Sequence, residues 1–212
     1  ETKVRTYGEC NYFNMAIFDQ IKNKVFNKEF AVNESEIDID LNLIEVSIEE
    51  RYGINNLQDN KIIFLDKSLE NVFNIDIILK IFPNAKFIHS KRNLNDAILS
   101  IYFSMLPELS WTLSLKTIIT YISNYHSAIS YYKAKFPNKI LEIDLDKFTI
   151  NPEKFSKNIY KFCKLNWREN VLNFYKRKDL FSKTLSSSQI RREINKNNQS
   201  KYEKYYFLLE KT

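Results

Sequence analysis

The sequence predicts an α/β fold of three layers, a central parallel sheet with helices on both faces. Three observations lead there. Short β-branched apolar runs alternate with longer helical stretches, which is the pattern of strand, helix, strand. Prolines stand where those helical stretches stop. The 212 residues are 44% hydrophobic and hold only two glycines, Gly8 and Gly53, enough apolar surface for a real core and no Gly-rich linker to divide it. One domain over residues 1–212 is therefore expected.

Taken in order, residues 9–27 have helical periodicity and the acidic stretch Glu34 to Asp40 reads as a surface loop. Ile62-Ile63-Phe64-Leu65 is the first buried-strand run, followed by a helix from Ile75 to Phe82 that stops at Pro83. Ala85-Lys86-Phe87-Ile88-His89 is the second strand. It leads into a helix from Leu94 to Met105, which Pro107 ends. A long helix from Ser114 to Phe136 ends at Pro137, and Ile140-Leu141-Glu142-Ile143 is the third strand. A helix from Pro152 to Cys163 closes the set, with Asn151 placed to cap it and Pro152 at the first helical position. Tyr121, Tyr125, Tyr131 and Tyr132 on the long helix are expected in the core, and His89 is expected buried and satisfied.

Composition excludes several classes. Two cysteines, Cys10 and Cys163, and two histidines, His89 and His126, show no metal-binding spacing and no disulfide framework. No metal is expected, and a reducing, cytoplasmic setting follows from the cysteine usage. No run of about 18 apolar residues is present, so no membrane span is expected. The net charge is +6, unevenly placed: residues 1–60 hold six Lys/Arg against twelve Asp/Glu. The basic remainder suggests an anionic partner or a solvated lysine-rich surface. Nucleic acid is not expected, since only the net charge speaks for it.

Parallel sheets bind ligands beyond the carboxyl ends of their strands. After the first predicted strand comes Asp66-Lys67-Ser68. After the second comes Ser90-Lys91-Arg92-Asn93, with Arg92 at a strand end and a helix start. Helix amides and a guanidinium fork both favour phosphate oxygens there. Ser100 lies eight residues on, about 12 Å along a helix. The two side chains could grip one phosphate, or Arg92 could be surface decoration. The residues alone leave both open.

Phe82-Pro83-Asn84-Ala85-Lys86-Phe87-Ile88-His89, then Arg92, Asp96 and Ser100, resembles a segment of the sulfotransferases that use 3′-phosphoadenosine 5′-phosphosulfate (PAPS). The likeness is greatest to the bacterial branch related to tyrosylprotein sulfotransferases. It continues along the chain through Val4 to Glu9, Asp66-Lys67 with Asn71 behind it, Asp144 to Glu153, Leu165 to Trp167, Thr184 to Arg191, and Lys201-Tyr202 with Tyr205. Seven pieces in one order make the combined signal specific. The resemblance implies a P-loop NTPase-like sulfotransferase fold and transfer of a sulfuryl group from PAPS to a hydroxyl or amine acceptor, with PAP (3′-phosphoadenosine 5′-phosphate) as product. It implies that Glu9 is the general base and that Lys67 lies by the transferring group. It further implies that Arg92 and Ser100 bind the 3′-phosphate, joined by Ser186 and Lys201. Thr184, Gln189 and Arg191 share the C-terminal nucleotide-binding segment. The acceptor stays open among protein tyrosine, sugar and small alcohol.

Two departures qualify the likeness. The family's Gly-containing phosphosulfate loop should precede the Gly8-Glu9 motif, yet Gly8 is the first glycine. The expectation is a fold truncated at its N-terminus, lacking the phosphosulfate-binding strand-loop-helix, so that the isolated chain binds PAPS poorly and turns over little. Leu145 stands where the family has Tyr near the adenine. A non-catalytic relative that binds nucleotides or sulfated glycans is the alternative. A P-loop kinase-like protein is disfavoured by the lack of a Walker lysine and of a clear Mg²⁺ aspartate.

Overall fold

The computed structural model describes residues 3–26, 39–53, 62–177, 191–194 and 200–210. They belong to two compact units, Glu1–Ala85 and Lys86–Thr212.

In the first unit, β1 (Lys3–Gly8) runs parallel to β2 (Ile62–Asp66), with Lys3 opposite Ile62 and Thr6 opposite Leu65. The register slips between Thr6 and Gly8, so that Gly8 faces Asp66 and Tyr7 is the extra residue. Such a bulge bends the strand end and re-aims the residues beyond it. Helices α1 (Tyr12–Phe26), α2 (Leu41–Tyr52) and α3 (Ile75–Ile81) complete the unit. Ile44, Ile48 and Tyr52 recur at four-residue spacing on α2 and are all buried, the stripe a packed helix needs. With Phe13, Ala16 and Ile17 of α1 and Ile75, Ile78 and Ile81 of α3 they form its core. Helix α2 is capped at both ends. The Asp40 carboxylate accepts from the amides of Asn42 and Leu43, and Gly53 takes the left-handed C-terminal position at φ +64°.

In the second unit, β3 (Phe87–Lys91) runs parallel to β4 (Ile140–Asp144), with His89 opposite Glu142. Helices α4 (Leu94–Ser104), α5 (Leu115–Lys135), α6 (Leu145–Ile150) and α7 (Pro152–Phe162) surround the pair in sequence. Ile98 and Leu99 of α4, Ile118, Ile129 and Tyr132 of α5, and Ile140 and Ile143 of β4 are its buried apolar residues. Asn151 caps α7 through the Lys154 amide, with Pro152 inside the first turn as expected. Trp167 donates its indole N–H to the buried Ser156 hydroxyl at 3.0 Å.

Parallel pairing is thus present twice. Among the described residues the strands make two separate two-stranded sheets rather than one joined sheet. No described helix is long and apolar enough to cross a membrane. Tyr131 departs from expectation: it is 56% exposed, because its position on α5 faces away from the buried Ile129 and Tyr132 stripe. His89 is buried as expected and lies 3.3 Å from the Glu142 carboxylate.

Candidate active site

Glu9 was expected at a helix start. It lies instead in the bend between β1 and α1, two residues before Asn11, whose φ of +55° turns the chain into the helix. The bulge and this turn carry Glu9 to the carboxyl end of β2, where Lys67 leaves the sheet. The Lys67 amide donates to the Gly8 carbonyl at 2.9 Å. The Lys67 ammonium meets the Glu9 carboxylate at 2.6 Å. Both side chains are about half exposed, at 53% and 54%. The burial that would strengthen Glu9 as a base is therefore not a feature of this structure.

Beside the pair is a network centred on Asp66, the acid of the Asp66-Lys67 run, whose partners Cys10 and Tyr52 no motif in the sequence marks. Asp66 accepts at one oxygen from the Ser68 amide and hydroxyl, at 2.8 and 2.6 Å. At the other it accepts from the Tyr52 phenol at 2.8 Å and the Cys10 thiol at 3.4 Å. Ser68 is buried, and its hydroxyl oxygen accepts the Asn11 amide at 2.7 Å. Burial first, then the Asp66 charge, pushes the Tyr52 phenol up, so it stays a donor. Burial also pushes the Cys10 thiol up, with the Asp66 charge adding to it. Tyr52 is packed edge-on against Tyr7 and Tyr12 at 4.6 and 5.0 Å between ring centres. Asn71 lies just downstream in a 3-10 turn, its side-chain oxygen buried and accepting no hydrogen bond among the described residues.

In the second unit, Arg92 directly follows β3 and precedes Asn93, the cap of α4, whose side chain accepts the Asp96 amide at 3.0 Å. Arg92 and Ser100 are both half-buried, Ser100 two turns into α4. Asp96 is 1% exposed and accepts the backbone amide of Tyr202 at 3.0 Å, 106 residues away in sequence. The Tyr206 phenol donates to Asn93 at 3.2 Å. Burial, then the Asp96 charge, pushes that phenol up while the Arg92 charge opposes it, so Arg92 lies in the same neighbourhood. The first turn of α4 and the chain just before the 3-10 segment Glu203–Leu208 are thereby joined, with Lys201 one residue before the joined amide. Lys201 is exposed, with its ammonium 5.0 Å over the Tyr202 ring. Arg191 is exposed and donates to the Arg177 carbonyl, and nothing described ties it to Arg92 or Ser100. Thr184, Ser186 and Gln189 lie outside the described residues. Leu145 opens α6 directly after β4 and is 38% exposed.

A guanidinium, an ammonium and the start of a helix are each groups that favour phosphate oxygens. Among the described residues no three His, Cys, Asp or Glu side chains gather as a metal set.

Glu9 and Lys67 thus pair at adjoining strand ends of the first unit, and Arg92 stands between a strand and a helix of the second. The family model for sulfotransferases matches residues 10–169, three quarters of the chain, and the chain belongs to that family. It is also 31% identical over 145 residues to an uncharacterized protein of Aquifex aeolicus (strain VF5). That match covers 66% of this chain and 19% of the relative's length.

Proposed function

We propose that this chain carries the catalytic groups for moving a sulfuryl group from PAPS to a hydroxyl acceptor. The observation that supports this best is the 2.6 Å contact between Glu9 and Lys67, two residues 58 apart in sequence that the fold sets side by side. Glu9 takes the acceptor's proton. The acceptor oxygen attacks sulfur in line, the bond from sulfur to the phosphate oxygen breaks, and PAP leaves carrying the negative charge. Lys67 stabilises that developing charge, as lysines do in phosphoryl transfer. Arg92, Ser100 and Lys201 hold the 3′-phosphate of the nucleotide. Ser186, with Thr184, Gln189 and Arg191, supplies further contacts from the C-terminal segment.

The test uses two variants of the full protein. Calorimetry with PAP reads the nucleotide site, and Arg92→Ala should weaken binding about 10- to 100-fold, the loss of one charge-assisted hydrogen bond. Transfer of labelled sulfur from PAPS to a phenol, a sugar and a tyrosine peptide reads the chemistry. Glu9→Gln should keep PAP affinity and lose transfer by at least about 100-fold. PAP binding without transfer by the parent protein would make it the binding relative instead. PAP affinity unchanged in Arg92→Ala would remove Arg92 from the site.

A further inference from the structure

We propose that Asp66 is the positioning residue for the Glu9–Lys67 pair and that Tyr52 holds Asp66 in place. Asp66 matters to transfer only if Glu9 and Lys67 do, so this rests on the functional reading above. An ion pair between two half-exposed side chains does not fix its own geometry: water screens the attraction, and two long side chains lose rotamer freedom to make it. What sits beside the pair is different. One carboxylate takes four donors, and three of them come from residues that flank the two partners. Cys10 follows Glu9, and Ser68 follows Lys67. The Ser68 hydroxyl extends the link to the Asn11 amide, and the Gly8 carbonyl takes the Lys67 amide. The backbone on either side of Glu9 is therefore stitched to the backbone on either side of Lys67, and Asp66 is the knot.

Tyr52 supplies the remaining donor from α2, at 2.8 Å. Its ring is wedged among Tyr7, Tyr12 and Phe64, so the phenol has little freedom to swing away. Four donors converge on the two Asp66 oxygens, and of these the Ser68 amide alone can never accept. Asp66→Asn keeps the shape and places an NH₂ against either the Tyr52 and Cys10 pair or the Ser68 pair. On the Ser68 side that NH₂ faces an amide that cannot accept; on the Tyr52 side the phenol must turn from donor to acceptor, and the carboxylate's second acceptor oxygen is lost either way.

The experiment compares the parent, Asp66→Asn, Tyr52→Phe, Glu9→Gln and the Asp66→Asn/Glu9→Gln double variant, all as full protein. Transfer is read on whichever acceptor the parent sulfates fastest. Asp66→Asn should lower kcat about 10- to 100-fold with the KM for PAPS nearly unchanged, the signature of misplaced reacting groups. In the Glu9→Gln background the same change should cost less than about threefold, because residues that act through one another are not additive. Tyr52→Phe removes one donor, keeps the ring, and should show a smaller loss with the same non-additivity. It carries the test if Asp66→Asn does not fold. A second readout needs no acceptor. Iodoacetamide labelling of Cys10 should speed up several-fold in Asp66→Asn as the neighbouring negative charge goes, with Cys163 as the unchanged internal reference. Equal cost of Asp66→Asn in both backgrounds would overturn the proposal, since a merely structural role behaves that way. So would an unchanged kcat in a folded Asp66→Asn. If Glu9→Gln itself leaves transfer intact, the functional reading fails first and this inference goes with it.

Discussion

Glu142 is the most heavily paired carboxylate described in the second unit, and replacing it with glutamine gives a pH-dependent test of the structure. One oxygen meets the Lys91 ammonium at 2.7 Å, and the other meets the Lys133 ammonium at 2.7 Å. Lys133 first and Lys91 second hold the carboxyl down at about 2, against an ordinary 4.5. A carboxyl depressed on folding stabilises the protein fully above pH 4.5, and that contribution is lost as the pH falls through about 2. Without solvent the depression would correspond to about 3 kcal/mol. The lysines are 45% and 41% exposed and the glutamate 27%, so screening reduces the pairs to about 1–2 kcal/mol together. Glu142→Gln keeps the shape and the oxygen beside His89. Urea unfolding of parent and variant should therefore differ by about 1–2 kcal/mol at pH 7. By pH 3 the gap should shrink to less than half, because most of the stabilisation from a carboxyl at about 2 has been titrated away. Parent and variant are best compared in a His89→Asn background, because Glu142 also acts on the His89 imidazole. Burial pushes that imidazole below 6.5, with Glu142 opposing and His126 and Lys133 assisting. With His89 in place, stability would also decline as the pH falls from 6.5 through that lower value, and more steeply in Glu142→Gln, where the opposing charge is gone. A gap that is equal at pH 7 and pH 3, or no gap at pH 7, would refute the ion-pair account.

Two further outcomes rest on single contacts. Asp96→Ala removes the acceptor for the Tyr202 amide. Hydrogen exchange over residues 200–209 should then rise by about tenfold or more, with PAP affinity falling as Lys201 loses its anchor. Asp40→Ala strips the two amide contacts at the start of α2 and should cost about 1 kcal/mol by urea unfolding, with no change in PAP affinity.

Prolines and caps made the helices legible. The expected helix from Ile75 ends at Ile81, the one from Leu94 at Ser104, and the long one spans Leu115–Lys135 behind its Ser114 cap. Strand limits were harder. The second predicted strand was placed from Ala85, but pairing starts at Phe87, because the Ala85 amide turns back to the Phe82 carbonyl at 2.9 Å. Two elements carried weak or overlooked signals. β1 has no apolar run: Lys3 and Arg5 interrupt it, and Val4 is 44% exposed, so backbone pairing with β2 defines it rather than burial. α2 did carry a signal in Ile44, Ile48 and Tyr52, obscured by the acidic stretch before it, of which Asp40 became the cap. Helix α6, at six residues, is too short for its period to be read.

The same contrast separates the parts of the candidate site. Lys67 and Arg92 stand out because each follows a predicted strand, and Glu9 because the run Val4 to Glu9 resembles the family's. Nothing local marks Asp66 as more than the acid before a lysine. Its importance comes from donors at positions 10, 52 and 68, and Cys10 and Tyr52 lie 56 and 14 residues away from it. Periodicity cannot show such a convergence, because it depends on the bulge at Tyr7 and on the rotation of α2 that turns Tyr52 inward. The residues proposed to do chemistry are therefore visible in the linear pattern, whereas the one proposed to position them emerges only when three segments fold onto one carboxylate. An exposed ion pair worth about 1 kcal/mol or less needs such a support to hold one geometry, and Asp66 is the charged group here with partners enough to give it.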